Sequence, residues 1–317
     1  MAVSKLSKPT VYLLDSFHPS AESFCRENFN AIFPGEPEHA NWRQNAQYIL
    51  VKGSWVTADD IDVSPNLRAI GKQGVSIDKI DSSACARRGI KILNTPGANS
   101  GTVAELVLAL AMGVTRQTSS IASRQAQGYA VPKETCSGQT LHGKSIGIVG
   151  MGHIGKAVAR IFRGAFNSPV IAYDPFLPVD AWQDIPHTRA STIDDLLRDS
   201  DIITLHVPLT SDNKDMVSLP QFKLMKKNAI LLNADRDGIV NEADLEVAMS
   251  EKMIWGAALD APEEEPPTKE IYGRLWELGV MSTPHIGSAT SATQAITGLT
   301  AAKRLLEFAQ NHNPLGA

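Results

Sequence analysis

Cysteine is scarce in this chain of 317 residues: Cys25, Cys85 and Cys136 are widely separated, with no CxxC pair and no Cys/His cluster at zinc spacing. Neither a disulfide framework nor a structural metal is expected, and a reduced cytoplasmic protein fits this usage. Charge of one sign is also lacking. Lys plus Arg number 30 against 34 Asp plus Glu, a net charge of −4, so there is no global basic field to hold nucleic acid or an anionic membrane. No apolar run reaches the roughly 18 residues of a membrane span. Met1 to Thr10 carries Lys5 and Lys8 but no apolar h-region, and Pro314-Leu315-Gly316-Ala317 matches no C-terminal address. Repeats, low-complexity tracts and long linkers are absent as well.

What remains is an ordinary globular composition, 43% hydrophobic and 20% charged, long enough for two domains of about 100–200 residues each. Short apolar runs at Val11–Leu14, Tyr48–Val51, Leu67–Ile70 and Ile90–Leu93 read as strands, with a helix-like stretch from Ser20 to Phe29. That alternation predicts an α/β lobe. Thr102 to Val114 is apolar nearly all the way round and predicts a helix buried between domains or subunits. Further strands are expected at Ser145–Val149, Val170–Tyr173, Ile202–Leu205, Ala229–Leu232, Gly256–Leu259 and Val280–Ser282, the pattern of a doubly wound parallel sheet. A last helix, roughly Ser291 to Gln310, follows and could return to the first lobe, making the second an insertion within it.

Gly150-Met151-Gly152-His153-Ile154-Gly155 follows the strand-like SIGIV and opens the helix-like KAVARIF. In a GxGxxG turn the first glycine allows the tight turn, the second the approach of a pyrophosphate, and the third helix–strand packing. Exposed N–H groups at the helix start favour phosphates. Asp174 ends the next strand 19 residues after Gly155, near the roughly 20 expected of an acid that binds ribose hydroxyls. It favours NAD over NADP, since Pro175-Phe176 brings no arginine for a 2′-phosphate. A glycine turn without a dinucleotide, or an S-adenosylmethionine site using the same acid, is the competing interpretation. Three polar residues then stand beside the later strands, where ligands of open α/β sheets gather: Arg236 after AILLNAD, Glu265 after WGAALDAPEE and His285 after VMSTP.

The stretches LRAIGKQGVSIDKID, KILNTPGANSGTVAEL, GKSIGIVGMGHIGKAVARIF, DIITLHVPLT, NAILLNADRDGIVNEADL, GAALDAPEEEPP and TPHIGSAT together resemble the D-isomer-specific 2-hydroxyacid dehydrogenases. The resemblance implies two Rossmann-like α/β domains with doubly wound parallel sheets. An NAD-binding domain at 101–287 would be inserted into a flavodoxin-like substrate domain of 1–100 plus 288–317. It implies an NAD-dependent enzyme that reduces a 2-oxo acid to a D-2-hydroxy acid as a homodimer built around Thr102–Val114. Arg236 would hold the carboxylate and carbonyl of the substrate, His285 would be the acid/base and Glu265 its carboxylate partner. Asp260 would hold the nicotinamide carboxamide. Gly150, Gly152, His153, Ile154, Gly155, Asp174, His206, Val207, Pro208, Asn213, Ala234, Gly287 and Ser288 complete the expected cofactor contacts.

The chemistry agrees: hydride delivery to a carbonyl carbon leaves charge on oxygen, which needs a proton donor, and a carboxylate beside a histidine favours its protonated form. Glu265 is chosen among Glu263, Glu264 and Glu265 by the resemblance alone. Backbone N–H groups at Lys52, Gly53, Ser54, Gly74 and Val75 would hold the substrate carboxylate. Many relatives carry Arg-Ser where Val51-Lys52 stand and glycine in place of Ser76, so dianionic substrates are less well supported. The sharper departure is Asp235-Arg236-Asp237, where relatives usually have a small residue before the arginine and glycine after it. The two aspartates either orient Arg236 and face a cationic substrate group, or point to solvent. Two alternatives stay open: an NAD-sensing, corepressor-like interaction protein, and a phosphite-type dehydrogenase. Formate dehydrogenase is disfavoured because its relatives have glutamine at Glu265. The histidines outside these motifs, His18, His39, His142, His187 and His312, are read as surface residues.

Overall fold

A computed structural model describes residues 8–312; the stretches read for a leader and a C-terminal address lie largely outside them. Two compact units divide the chain, one of residues up to Asn99 together with those from Thr290 onward, the other Ser100–Ala289. The first holds five strands, β1 (Thr10–Leu13), β2 (Asn30–Ile32), β3 (Tyr48–Val51), β4 (Ala69–Lys72) and β5 (Lys91–Leu93), in the order β2-β1-β3-β4-β5. All pair in parallel. β3 and β4 are buried at every residue, which is why β3, Tyr-Ile-Leu-Val, reads as a continuous apolar run rather than an alternating one. The helix Ser291–Asn311 lays Ala301, Ala302, Leu305 and Ala309 against Val11, Leu13, Tyr48 and Leu50 in one apolar cluster.

The second unit carries β6 (Ile146–Val149), β7 (Val170–Tyr173), β8 (Thr188–Arg189), β9 (Ile202–Leu205), β10 (Ile230–Asn233), β11 (Gly256–Leu259) and β12 (Met281–Ser282). Their order is β12-β11-β10-β9-β6-β7-β8, again all parallel. The winding reverses at β6, with β7 on one side and β9 on the other. A crevice at the carboxyl ends of β6 and β9 is therefore where such a sheet takes a ligand.

The helix Ser100–Arg116, expected to lie between domains or subunits, belongs to the second unit. Val103, Ala104, Val107, Leu110, Ala111 and Val114 are buried in the core of the second unit itself, with Ile146, Ile148 and Phe162. The strong apolarity is explained by the sheet and the helix His153–Phe166 covering most of its circumference. Ala109 and Met112 stay exposed. Two strands were unforeseen, β2 and β8, both short strands at sheet edges. Among the described residues no helix is long and apolar enough to cross a membrane.

Candidate active site

The turn after β6 has the shape that its three glycines require. Gly150 has φ +95°, and a Cβ on it would lie 2.0 Å from the His206 carbonyl oxygen; one on Gly155 would lie 2.2 Å from the Gly150 carbonyl. Around Gly152 there is open space, with no atom within 4 Å of an added Cβ. The helix His153–Phe166 starts at Gly152 with no side-chain cap, so its first N–H groups face the approach that the bare glycine leaves. His153 is exposed and Ile154 half-buried. A dinucleotide pyrophosphate fits this cradle.

Asp174 closes the turn from the end of β7. Its Oδ2 accepts from Met151 N–H at 3.0 Å, and its Oδ1 from Phe176 and Leu177 N–H at 3.0 and 3.2 Å. Two residues that sequence reading missed support the same turn. Trp182 is buried and donates Nε1–H to the Met151 carbonyl at 2.6 Å, so both backbone groups of Met151 are pinned. Arg189, on β8, donates to the carbonyls of Asp174, Leu177 and Pro178. An arginine thus does reach the Asp174 loop, from the next strand rather than from Pro175-Phe176.

After β9, His206 is turned into the fold: its Nε2 lies 2.9 Å from Thr204 Oγ1, while buried Nδ1 has no partner in the described structure. Burial pushes its pKa down to about 3, leaving a neutral ring. Val207 is half-buried and Pro208 exposed. Asn213 clamps this loop, donating to the Pro208 carbonyl and accepting from Thr210 N–H, both at 2.7 Å.

The ends of β10, β11 and β12 are tied in sequence: Asp260 N–H donates to the Asn233 carbonyl at 2.8 Å, and His285 N–H to the Asp260 carbonyl at 2.7 Å. Asn233, buried and not foreseen, shapes the arginine turn by donating from Nδ2 to the Arg236 carbonyl at 2.7 Å. Ala234 is buried beside it. Arg236 pairs with Asp235, Nη1 to Oδ1 at 3.3 Å, the side chains 23% and 15% exposed, whereas Asp237 is exposed.

Asp260 is completely buried. It accepts from Thr283 Oγ1 at 2.6 Å and Ile286 N–H at 2.8 Å on Oδ1, and from Gly287 N–H at 2.8 Å on Oδ2. The carboxylate expected to meet nicotinamide therefore also anchors the segment that carries His285, with Ser288 half-buried beyond it. His285 has φ +55°, a left-handed conformation uncommon outside glycine, held by these bonds. Its Nδ1 lies 2.9 Å from Glu265 Oε1, each side chain 42% exposed. With Nδ1 held there, Nε2 is the nitrogen left to face a substrate. At the neighbouring glutamates it is the backbone that is engaged: Glu263 N–H donates to Glu242 Oε1 at 2.9 Å and Glu264 N–H to the Tyr272 hydroxyl at 3.0 Å.

In the first unit four of the five expected carboxylate donors, the N–H groups of Lys52, Gly53, Ser54 and Gly74, already have acceptors. Asp15, at the end of β1, accepts from Lys52 N–H at 2.6 Å, Gly53 N–H at 3.2 Å, and Ser54 N–H and Oγ–H at 3.1 and 2.9 Å. Burial pushes the Asp15 carboxyl up, but these hydrogen bonds outweigh it and hold it below its ordinary value. Gly74 N–H donates to Thr95 Oγ1 at 3.0 Å. Val75 is exposed, its carbonyl accepting from Asn94. The reason is topological: parallel strands end side by side, so Asp15 faces the loop after β3.

Both sheets and the cradle define a dinucleotide-binding α/β protein with a His–carboxylate pair and an arginine at its strand ends. The model of the D-isomer specific 2-hydroxyacid dehydrogenase NAD binding domain matches residues 108–287. Relatives include D-3-phosphoglycerate dehydrogenase of Methanocaldococcus jannaschii, 35% identical over 263 residues, covering 83% of this chain and 49% of that protein. Hydroxypyruvate reductase of Thermotoga maritima is 36% identical over 253 residues, 80% of this chain and 81% of that one. Among solved structures, the TT0316 protein of Thermus thermophilus superposes with a TM-score of 0.84 at 28% identity, covering 96% of this chain and 98% of its own. The chain belongs to the D-isomer-specific 2-hydroxyacid dehydrogenase family. It spans about half the length of the D-3-phosphoglycerate dehydrogenase it matches.

Proposed function

We propose that the chain is an NAD-dependent oxidoreductase that reduces a 2-oxo acid to the D-2-hydroxy acid. The observation that carries this reading is the 2.9 Å His285–Glu265 pair, fixed at strand ends next to the Arg236 turn in the unit that also holds the glycine cradle. When bound, the nicotinamide supplies the hydride. The chain's own residues do the rest. The planar fork of Arg236 matches the substrate carboxylate and stabilises charge developing on the carbonyl oxygen. Nε2–H of His285 gives that oxygen its proton, while Glu265, on Nδ1, fixes the ring orientation and stabilises the imidazolium that precedes transfer. A formed acid/base pair disfavours the non-catalytic, corepressor-like reading.

NAD is favoured over NADP because the Asp174 carboxylate would meet a 2′-phosphate, while the guanidinium of Arg189 is engaged with loop carbonyls. A second copy of the chain is the partner we assign to the helix Ser100–Arg116, whose Ala109 and Met112 are apolar residues left exposed. Initial rates of NADH oxidation with glyoxylate, hydroxypyruvate, pyruvate and bulkier 2-oxo acids test the reading. His285→Ala should lower kcat by roughly 10²–10⁴-fold, as for general acid–base groups, with NADH affinity kept. Equal turnover by the variant would remove His285 from the chemistry.

A further inference from the structure

The place of Arg189 is set by strand register. β8 pairs in parallel with β7 so that Arg189 stands opposite Ala172, and from this two-residue edge strand its side chain reaches the loop beyond the end of β7. Its Nη2 donates to the Asp174 carbonyl and, at 2.6 Å, to the Leu177 carbonyl, while its Nη1 donates to the Pro178 carbonyl. Within the same loop the Asp174 carboxylate accepts from Phe176 and Leu177 N–H. Leu177 is therefore held at its N–H and its carbonyl, and Asp174 at its carbonyl and its carboxylate. Apolar packing adds little, since Phe176 and Val179 are 94% and 91% exposed. Without these polar ties so open a loop opens readily, and the Asp174 carboxylate moves with it.

We propose that Arg189 is a positioning residue for the cofactor. It holds the loop 174–178 so that the Asp174 carboxylate is presented to the hydroxyls of the adenosine ribose, and its guanidinium, spent on three carbonyls, is no counter-charge for a 2′-phosphate. This rests on the ribose assignment of Asp174 and not on the choice of a 2-oxo acid as substrate. Meeting three carbonyls at once suits a guanidinium, whose N–H donors point in fixed directions, whereas a lysine ammonium is a point charge on a flexible stem. Hydrogen bonds weaken steeply with angle, so a shifted Asp174 carboxylate loses the ribose hydroxyls first. The glycine turn keeps its own tie, from Trp182 to the Met151 carbonyl, and with it the pyrophosphate contacts.

The test is calorimetric binding of three ligands to the full chain: ADP-ribose, its 2′-deoxyadenosine analogue, and reduced nicotinamide mononucleotide, which lacks the adenosine half. Wild type should bind ADP-ribose about tenfold more tightly than the deoxy analogue, the effect of one hydrogen bond to a charged group. Arg189→Met should raise the Kd for ADP-ribose by roughly that same tenfold and bring the ratio close to one, with the mononucleotide bound as by wild type. Arg189→Lys, which keeps the charge but not the fork, should fall between, and it decides by the same ratio if the methionine variant does not fold. A residue with only a structural role would weaken all three ligands together; that result, or a ratio that neither variant moves, overturns the proposal. So does a variant that weakens 2′-phospho-ADP-ribose more than ADP-ribose, which would make Arg189 a phosphate ligand. If wild type does not distinguish ADP-ribose from its deoxy analogue, the ribose assignment fails and the proposal with it, with the reductase reading still standing.

Discussion

Replacing Asp15 by alanine removes the acceptor of three backbone N–H groups and one hydroxyl. Hydrogen bonds to a charged acceptor contribute about 1.5–3 kcal/mol each when buried. Lys52 and Gly53 are exposed and Ser54 is half-buried, so the freed donors regain water, and the four bonds at about 0.5–0.75 kcal/mol each amount to about 2–3 kcal/mol in all. Because the two units of the chain need not unfold together, a global midpoint is a poor reporter. Amide hydrogen exchange of Lys52, Gly53 and Ser54 is the direct one, and about 2–3 kcal/mol corresponds to roughly 30- to 150-fold faster exchange. Asp15→Asn, which can satisfy one of the two pairs of donors, should fall between. The folded carboxyl is held below its ordinary value, so its contribution is present above the unfolded value of about 3.9 and is lost as pH falls through the lower folded value. The difference between wild type and Asp15→Ala should therefore hold down to about pH 4 and fade below it. Unchanged exchange in Asp15→Ala, or a difference that grows on acidification, would refute the reasoning.

Other predictions concern the cofactor unit. Asp174→Ala should weaken NADH binding and narrow its advantage over NADPH in paired titrations; a wild type that uses NADPH at least as well as NADH contradicts the ribose assignment. Trp182→Phe loses the hydrogen bond to the Met151 carbonyl, worth about 1 kcal/mol, and should raise the Kd for NADH roughly fivefold with little change in kcat. An unaltered Kd would show that the turn needs no brace. His206, buried and neutral with a pKa of about 3, binds a proton in the unfolded chain first. Its contribution is complete above about pH 6.5 and lost progressively as pH falls towards the folded value. Urea midpoints measured against pH should accordingly fall less steeply below about pH 6.5 in His206→Gln than in wild type.

The strands that sequence revealed are those buried on both faces, such as Tyr48–Val51 and Ile202–Leu205, where apolar residues run on between turn signals. β2 and β8 escaped because three and two residues at a sheet edge carry no such run. The glycine turn and Asp174 were legible because the cradle is local, one strand–turn–helix and the next strand. Asp15, Trp182 and Arg189 were not, since each acts on backbone well separated in sequence, Asp15 on a residue 37 positions away. Their partners are set by which strands lie side by side. The helix Ser100–Arg116 was legible as buried but not as to where, because apolarity around a helix does not say what covers it. Glu265 could be told from Glu263 and Glu264 only through resemblance, and proximity to His285 now marks it independently.

The central claim is hydride transfer to the carbonyl carbon of a 2-oxo acid with proton donation by His285. Incubation with NADH deuterated at its transferable position, followed by mass and chiral analysis of the product, tests it most directly. The account predicts a 2-hydroxy acid of D configuration with the deuterium on its hydroxyl-bearing carbon, formed by wild type and scarcely by His285→Ala. A product of L configuration, one without deuterium at that carbon, or equal product from the variant would contradict it.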